Sequence, residues 1–279
     1  MKSLIRALCA SAALMAVAIP SQAVTFGVPD GTAHPHVVNL LFRLPSGLYS
    51  CSGTLMSPTI VMTAGHCTEE AGVADLNVWV TQAPVINIPS SGCNGDATCF
   101  NNYMDNLPGW VKGTAHPHPQ FDDFSQFPAT FDVGVIVLSS PITAPTYGTL
   151  PPLGFLETIK KAKDDSFTVV GYGMQGLIKP FNSDIWARYV GTVKLITTNS
   201  TWAGGYSAKF TNNPGSGGGT CFGDSGGPIF YKDTNMVVAI VSFGQTPCIG
   251  VDFNFRTDIP TTQDFVDSFL DGESGSDLI

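Results

Sequence analysis

The chain has 279 residues, of which 43% are hydrophobic and 13% charged, a composition typical of one compact unit with a large core or of two small packed halves. Its 22 acidic residues outnumber its 13 basic ones and give a net charge of -9. This balance argues against nucleic acid as a partner, because binding to phosphates requires a basic surface.

Residues 1–23 have the pattern of a secretory signal peptide. Lys2 and Arg6 form a basic start, residues 7–19 are apolar, and small residues precede Val24. The apolar run is too short to span a bilayer comfortably, and no later run reaches about 18 apolar residues. We therefore predict a secreted mature protein, extracellular or periplasmic in a Gram-negative host, with no membrane partner.

The rest of the chain alternates short apolar runs with turns, and it contains 30 glycines and 20 prolines. Runs rich in β-branched and aromatic residues predict strands at 37–44, 59–63, 78–80, 133–138, 167–170, 189–196, 228–231 and 236–243. Many short strands separated by turns indicate an all-β barrel or sandwich.

A proline-rich segment divides these strands into two groups. Residues 139–152 contain Pro141, Pro145, Pro151 and Pro152, and neither a helix nor a central strand accepts proline readily. We therefore place an N-terminal unit at 24–143 and a C-terminal unit at 144–270.

One helix is predicted near the end of the chain. Thr261 or Thr262 can cap it. Its apolar residues recur on one face and are Phe265, Val266, Phe269 and Leu270. Residues 271–279 follow as a flexible tail rich in glycine, serine and aspartate.

Three motifs carry side chains suited to catalysis. Residues 63–67 read Thr-Ala-Gly-His-Cys, residues 223–228 read Gly-Asp-Ser-Gly-Gly-Pro, and Asp132 enters an apolar strand between them. Together, in this order, they resemble the chymotrypsin/trypsin family of serine proteases. The similarity extends to Gly-Tyr-Gly at 171–173 and Ser-Phe-Gly at 242–244, where the family commonly has Gly-Trp-Gly and Ser-Trp-Gly.

This resemblance implies two packed antiparallel six-stranded β-barrels with a C-terminal helix. It also implies a serine endopeptidase that works through an acyl-enzyme intermediate without a cofactor. His66 would be the general base, Asp132 would orient it, and Ser225 would be the nucleophile. The backbone amides of Gly223 and Ser225 would form the oxyanion hole.

Six cysteines follow the predicted signal peptide, and in an exported protein they predict three disulfides. The sequence alone leaves 15 pairings open. The resemblance implies the pairs Cys51–Cys67 and Cys221–Cys248, which leaves Cys93 with Cys99.

The resemblance also locates a primary specificity pocket. Trypsin-like members carry an acid where this chain has Gly219, so we predict cleavage after an apolar or aromatic residue. The predicted pocket residues are Gly219, Thr220, Ser242, Phe243 and Gly244. The alignment after Cys248 is ambiguous and leaves open that Asp252 reaches the pocket floor.

The family activates itself by pairing a new N-terminal amine with the acid before the catalytic serine, here Asp224. Signal cleavage would expose Val24, so we predict the activation pair Val24 and Asp224. The chain departs from the family at Phe26, because members usually have two glycines after two apolar residues.

Two other functions compete with the peptidase. A catalytically silent homologue would act as a binding module, although such proteins usually lose a triad residue. An esterase of the α/β-hydrolase class would need a strand-turn-helix elbow and more helices.

His116 and His118 with Asp122 and Asp123 are interpreted as a solvated turn, so no metal is predicted. We expect a monomer that binds protein or peptide substrates and protein inhibitors.

Overall fold

The computed structural model describes residues 24–44, 46–69, 76–159, 165–175 and 186–276. The predicted signal peptide lies outside these residues. The strands, labelled in chain order, are β1 (Val28–Pro29), β2 (Val37–Leu44), β3 (Gly47–Leu55), β4 (Ile60–Thr63), β5 (Asn77–Thr81), β6 (Val111–Pro117), β7 (Gly134–Leu138), β8 (Phe167–Gly171), β9 (Tyr189–Val193), β10 (Leu195–Thr197), β11 (Ser207–Asn212), β12 (Pro228–Tyr231), β13 (Val237–Gly244) and β14 (Gly250–Arg256). The helices are α1 (Ala97–Asp105), α2 (Phe155–Thr158) and α3 (Pro260–Ser276).

The first sheet is a closed antiparallel barrel with the strand order β2-β3-β4-β7-β6-β5. Strands β2 and β5 close it, with Leu40 opposite Val80. Successive side chains of a strand point to opposite faces, so β2 sends Leu40 into the main core and Leu41 to the outer side. There Leu41 and Trp79 pack against Phe100 of α1, which explains why both faces of β2 are buried.

The second sheet is a curled antiparallel sheet with the order β1-β9-β8-β12-β13-β14-β11-β10. The short β1 adds to β9, with Val28 opposite Val190, and β10 adds to β11. These edge strands bring the sheet to eight strands instead of the predicted six. The predicted fold class, all-β with two packed antiparallel units and a C-terminal helix, is confirmed; the first unit is a closed six-strand barrel and the second is a curled sheet.

The two sheets share a core. The main apolar cluster contains Leu40 and Val61 of the barrel together with Phe230 and Ile240 of the second sheet. Between the sheets, residues after Ile142 already contact the second one, since Thr149 pairs with Met236. The boundaries of the two units stay a prediction.

The helix α3 packs on the barrel side through buried Val266. It begins at Pro260, a residue whose fixed φ suits the first helical position. The Thr262 hydroxyl donates to the Arg256 carbonyl at 2.6 Å. The helix extends to Ser276, into the range that the sequence assigned to a tail. In the described part of the chain, no helix has the length and apolar character needed to cross a membrane.

Candidate active site

His66 lies in a 3₁₀ turn, Gly65–Cys67, directly after β4. The Cys51–Cys67 disulfide joins this turn to β3. Gly65 has no room for a side chain, because a Cβ there would lie 2.9 Å from Phe121 and 3.2 Å from the Asp132 carboxylate. The turn therefore holds the His66 backbone close to Asp132.

Asp132 is fully buried just before β7 and binds His66 at two places. Its carboxylate accepts from the His66 backbone N–H at 2.9 Å and lies 3.0 Å from the ring Nδ1. The Ser242 hydroxyl also donates to Asp132. The sequence did not indicate this contact between Ser242 and Asp132.

The electrostatics of the pair favour a charged carboxylate and a basic imidazole. Burial opposes the charge on Asp132, but His66 and the Ser242 hydroxyl outweigh it and lower the pKa of Asp132 below its ordinary 3.8. Burial also disfavours the imidazolium, yet the charge and hydrogen bond of Asp132 raise the pKa of His66 above its ordinary 6.5. A negative Asp132 therefore stabilises a proton taken up by His66.

Ser225 follows a tight turn that only glycine permits. Gly223 has φ +96°, and a Cβ there would lie 2.9 Å from the backbone of Gly173. The barrel supports the turn through Ser52, whose N–H donates to the Ser225 carbonyl at 2.8 Å and whose hydroxyl donates to the Gly223 carbonyl at 2.9 Å. The turn is thus bound by backbone contacts across both sheets.

One cavity of about 530 Å³ brings the candidate residues together. His66, Gly223 and Ser225 all line it, whereas Asp132 lies behind His66. Among the described residues, the His66 ring has hydrogen bonds to the Asp132 carboxylate and none to the Ser225 hydroxyl. Hydrogen bonds between a nucleophile and its base are often long without substrate and shorten when it binds. The lining of the cavity therefore includes a serine, an imidazole and the glycine turn.

Most of the chain matches trypsin-like proteases in sequence. The family model "Trypsin" matches residues 27–266. This chain belongs to the trypsin family. It is 28% identical to a trypsin of Saccharopolyspora erythraea, over 78% of this chain and 86% of that protein. It is 27% identical to a vitellin-degrading protease of Bombyx mori, over 76% of this chain and 72% of that protein.

Solved structures show the same fold at lower identity. HL collagenase superposes with a TM-score of 0.65 at 19% identity, covering 88% of this chain and 98% of that one. Human heparin binding protein superposes with a TM-score of 0.61 at 17% identity, covering 89% and 97%.

All but one of the predicted pocket residues line the cavity of this trypsin-family chain. Gly219 is not among the residues that line the cavity, because its Cβ direction leads to Asn212, whose Oδ1 would lie 1.9 Å away. The other predicted pocket residues, Thr220, Ser242, Phe243 and Gly244, do line the cavity. Asp252 joins them from β14.

Asp252 is held by three donors inside the pocket. Its Oδ1 accepts from the Asn212 amide at 2.8 Å, and its Oδ2 accepts from the Thr220 hydroxyl at 2.7 Å and the Thr220 N–H at 3.1 Å. Burial raises the pKa of Asp252 to about 6, although these donors oppose the shift. The register that pairs Gly244 with Asp252 resolves the alignment that the sequence left open.

Val24 and Asp224 are both fully buried. Val24 packs in the core of the second sheet, and its side chain faces Gly191. The Asp224 carboxylate accepts from the N–H groups of Gly173 at 2.8 Å and Cys221 at 2.9 Å. Burial raises the pKa of Asp224 to about 7, and no cation among the described residues pairs with it.

The structure contains the disulfides Cys51–Cys67, Cys93–Cys99 and Cys221–Cys248, the pairs that the resemblance implies. Among the described residues, Cys51, His66 and Cys67 are the one group with metal-ligand spacing, and the disulfide leaves no thiolate there. His118 stacks on Phe131, and His116 packs on Phe269 of α3. The two histidines therefore fill an aromatic interface.

Aromatic side chains that the sequence analysis missed flank the cavity. Phe124 lies 5.7 Å from the His66 ring, and Phe127 lies 5.2 Å from Phe243. Trp202, which is 58% exposed, packs edge-on against Phe127. The density of phenylalanine in residues 121–131 is the sequence signal that could have indicated this surface.

Proposed function

We propose that this protein is a secreted serine endopeptidase that hydrolyses peptide bonds through His66, Asp132 and Ser225. One observation carries the proposal: a single cavity is lined by Ser225, by the Gly223 turn and by His66, which buried Asp132 holds in place. Membership of the trypsin family supports the same reaction class.

His66 acts as the general base because a serine hydroxyl is a poor nucleophile at neutral pH. Its ring takes the Ser225 proton as the hydroxyl oxygen attacks the carbonyl carbon of the substrate. Asp132 stabilises the resulting imidazolium without accepting the proton. The negative carboxylate and the raised pKa of His66 support this division of roles.

The peptide bond breaks when the tetrahedral intermediate collapses. His66 returns its proton to the leaving amine, and the carbonyl carbon remains bonded to Ser225 as an ester. A water molecule then attacks this ester while His66 takes a proton from it. The bond between the carbonyl carbon and the Ser225 oxygen breaks, His66 returns the proton to that oxygen, and the carboxylic acid product is released.

The backbone amides of Gly223 and Ser225 stabilise the oxyanion that forms in each step. One such donor typically contributes about 10²–10³ in rate. The bonds from Ser52 support this role, because they hold the carbonyls of the turn and keep its amides from rotating.

The pocket beside Ser225 accepts an apolar or aromatic residue before the scissile bond. Its walls include Val241, Phe243 and the Cys221–Cys248 disulfide, which offer apolar contacts. Protein and peptide chains are accordingly the substrates, and protein inhibitors would compete for the same cavity.

Activation follows from removal of the signal peptide during secretion. The new α-amine of Val24 pairs with Asp224, whose pKa of about 7 reflects a buried carboxyl that lacks a cationic partner in the described residues. The buried position of Val24 in the second sheet supports an inserted terminus.

The proposal is tested by hydrolysis of unfolded casein by the mature protein beginning at Val24. We expect wild-type protein to release acid-soluble peptides and the Ser225→Ala variant to release none above background. Ser268→Ala, an exposed serine on α3, is the matched control and retains full activity. Casein that is bound but left intact by wild type would identify a silent binding module instead.

A further inference from the structure

A second cavity, of about 490 Å³, shares no lining residue with the active-site cavity. Two histidines, His34 and His36, line it. They flank Pro35 in a turn that the Val37 N–H closes by donating to the His34 carbonyl at 3.0 Å. Because proline fixes φ, the turn is stiff and holds the two rings at a defined separation, with their centroids 6.1 Å apart.

A buried carboxylate orients the first of these rings. Asp30 accepts hydrogen bonds from the His34 ring Nδ1, from the His34 N–H at 3.1 Å and from the Arg188 Nε at 2.7 Å. A charged carboxylate can only accept, so Nδ1 carries a proton and the lone pair of the neutral His34 ring is on Nε2. Histidines that bind metals almost always donate their other ring N–H in this way, often to a carboxylate.

The second ring has no partner in the described part of the chain. His36 is 2% exposed, and among the described residues neither of its ring nitrogens has a hydrogen-bond partner. Burial, followed by the charges of His34 and Arg188, lowers the pKa of His36 to about 4, so the ring is neutral at neutral pH. Leaving a buried polar group unpaired is costly. The lone pair of His36 is therefore open to a ligand that accepts electrons.

The surroundings of the two rings favour a cation as this ligand. A neutral His36 offers no charge to attract an anion, and the acidic Asp233, in the turn after β12, lines the same cavity. Imidazole nitrogens bind Zn²⁺, Cu²⁺ and Ni²⁺ well, whereas Ca²⁺ and Mg²⁺ prefer oxygen ligands. The chemistry of the pair therefore selects a divalent transition-metal ion.

We propose that His34 and His36 together bind one divalent transition-metal ion, such as Zn²⁺, at the wall of this cavity. Two imidazoles on one tetrahedral zinc have ring centres about 5 Å apart, because each Zn–N bond is about 2.0–2.1 Å long. The centroids here are 6.1 Å apart, so side-chain rotations that close the gap by about 1 Å bring both nitrogens to one ion. The described residues form no compact group of three metal-binding side chains at this place, so water in the cavity completes the coordination.

The bound ion has a structural role and takes no part in hydrolysis. The His34 and His36 rings both pack against Phe230 of β12, at centroid distances of 5.8 and 5.3 Å. An ion shared by the two rings therefore fixes the turn before β2 on the second sheet. Its binding should raise the free energy of unfolding, because the unfolded chain does not hold the two rings together.

Zinc binding is measured by equilibrium dialysis and elemental mass spectrometry on protein that begins at Val24 and carries His66→Ala. This change removes the imidazole of the active-site cavity and prevents self-digestion. We expect one zinc per chain. Replacing either ligand, in His34→Gln or His36→Gln, should raise the Kd by about tenfold or more.

His116→Gln is the matched control, because His116 packs on Phe269 and does not line this cavity. It should leave the Kd unchanged. The inference is overturned if the parent protein binds no zinc, or if His34→Gln and His36→Gln bind it as tightly as His116→Gln does. Neither result bears on the proposed endopeptidase function, since the two cavities share no lining residue.

A second measurement keeps both ligands, in case the variants at these positions do not fold. Of the five histidines, the double variant His66→Ala/His116→Gln retains His34, His36 and His118, and His118 is buried against Phe131. One equivalent of Cu²⁺ is added, and pulsed electron paramagnetic resonance counts the imidazoles bound to it. We expect two, and a count of one or none overturns the proposal.

Discussion

Asp132 binds both the backbone and the ring of His66, through contacts of 2.9 Å to the N–H and 3.0 Å to Nδ1. The two contacts fix the imidazole plane relative to the chain, so the ring cannot rotate freely. With Nδ1 turned to the carboxylate, Nε2 is the nitrogen left to exchange a proton with Ser225.

Replacing Asp132 with asparagine should abolish most activity without preventing folding. The amide keeps the shape of the side chain but favours the wrong imidazole tautomer and removes the charge that stabilises the imidazolium. We expect kcat to fall by about 10⁴, because the same change lowers kcat by that factor in the Ser-His-Asp triad of a serine protease. Asp233→Asn, which removes an exposed charge from the turn after β12, is the control and should change kcat only slightly. A comparable kcat in Asp132→Asn and Asp233→Asn would contradict the assigned role.

The pH dependence of kcat/KM should report the ionisation of His66. Burial disfavours its charged form, but Asp132 more than compensates, so the folded pKa is above 6.5. Activity is expected to be full where the ring is neutral and to fall on acidification, with a midpoint above 6.5. The profile of a leucine substrate, measured under conditions where the protein stays folded, checks this. Undiminished activity well below the ordinary pKa of histidine would exclude His66 as the base.

Adding one alanine before Val24 should inactivate the enzyme, because the α-amine can then no longer reach Asp224. The pKa of this buried carboxyl, raised from 3.8 to about 7, means that the folded extended protein retains a proton that the unfolded chain releases. Its free energy of unfolding should therefore decrease as the pH rises from 3.8 to about 7.

The free energy of unfolding of the protein beginning at Val24 should depend less on pH over that range, since the charged amine stabilises the ionised Asp224. Thermal unfolding of both forms at several pH values, together with peptide hydrolysis, tests the pair. Full activity of the alanine-extended protein would refute activation through Val24.

Breaking the buried ion pair between Asp30 and Arg188 should destabilise the protein strongly. The Arg188 Nε donates to Asp30 at 2.7 Å, and both side chains are almost fully buried. Asp30→Asn leaves the guanidinium unpaired, and breaking such a pair typically costs about 3–5 kcal/mol. Lys112→Ala at the exposed Asp105 pair is the control and should cost less than about 1 kcal/mol.

The same pair predicts a loss of stability in acid. Burial opposes the charge, but His34 and Arg188 lower the pKa of Asp30 below 3.8. The contribution of the ion pair to the free energy of unfolding is therefore complete above pH 3.8 and disappears as the pH falls through the folded pKa of Asp30. The free energies of unfolding of wild type and Asp30→Asn are measured with denaturant, and the difference between them should become smaller in acid. If the free energies of unfolding of the two proteins differ by the same amount at every pH, the ion pair is not the cause of the difference.

The sequence predicted strands where apolar runs are continuous. Residues 37–44 and 228–231 match β2 and β12, while β9 and β10 were predicted as one strand. Strands β3, β6, β11 and β14 were missed because polar residues and glycines interrupt them. In β14, Asp252, Asn254 and Arg256 are buried polar residues. The Asp252 carboxylate accepts from Asn212 and Thr220, and Arg256 donates to Glu157, so these partners lie far away in the sequence.

The candidate site was predictable where short motifs carry it and not where distant residues meet. His66 and Ser225 lie in short motifs that can be recognised in the sequence, and Asp132 directly precedes an apolar run. Nothing local shows that Ser242 would bind Asp132, a residue 110 positions away. Likewise, only the pairing of β13 with β14 reveals that Asp252, and not residue 219, faces the pocket.

The central claim is that Ser225 is an activated nucleophile, and covalent labelling measures this directly. Mature protein is incubated with a fluorophosphonate, digested, and analysed by mass spectrometry. We predict a single adduct on Ser225, formed rapidly at about pH 8, slowed strongly in His66→Ala and absent in Ser225→Ala. No adduct on folded mature protein, or an adduct that persists in Ser225→Ala, would contradict the account.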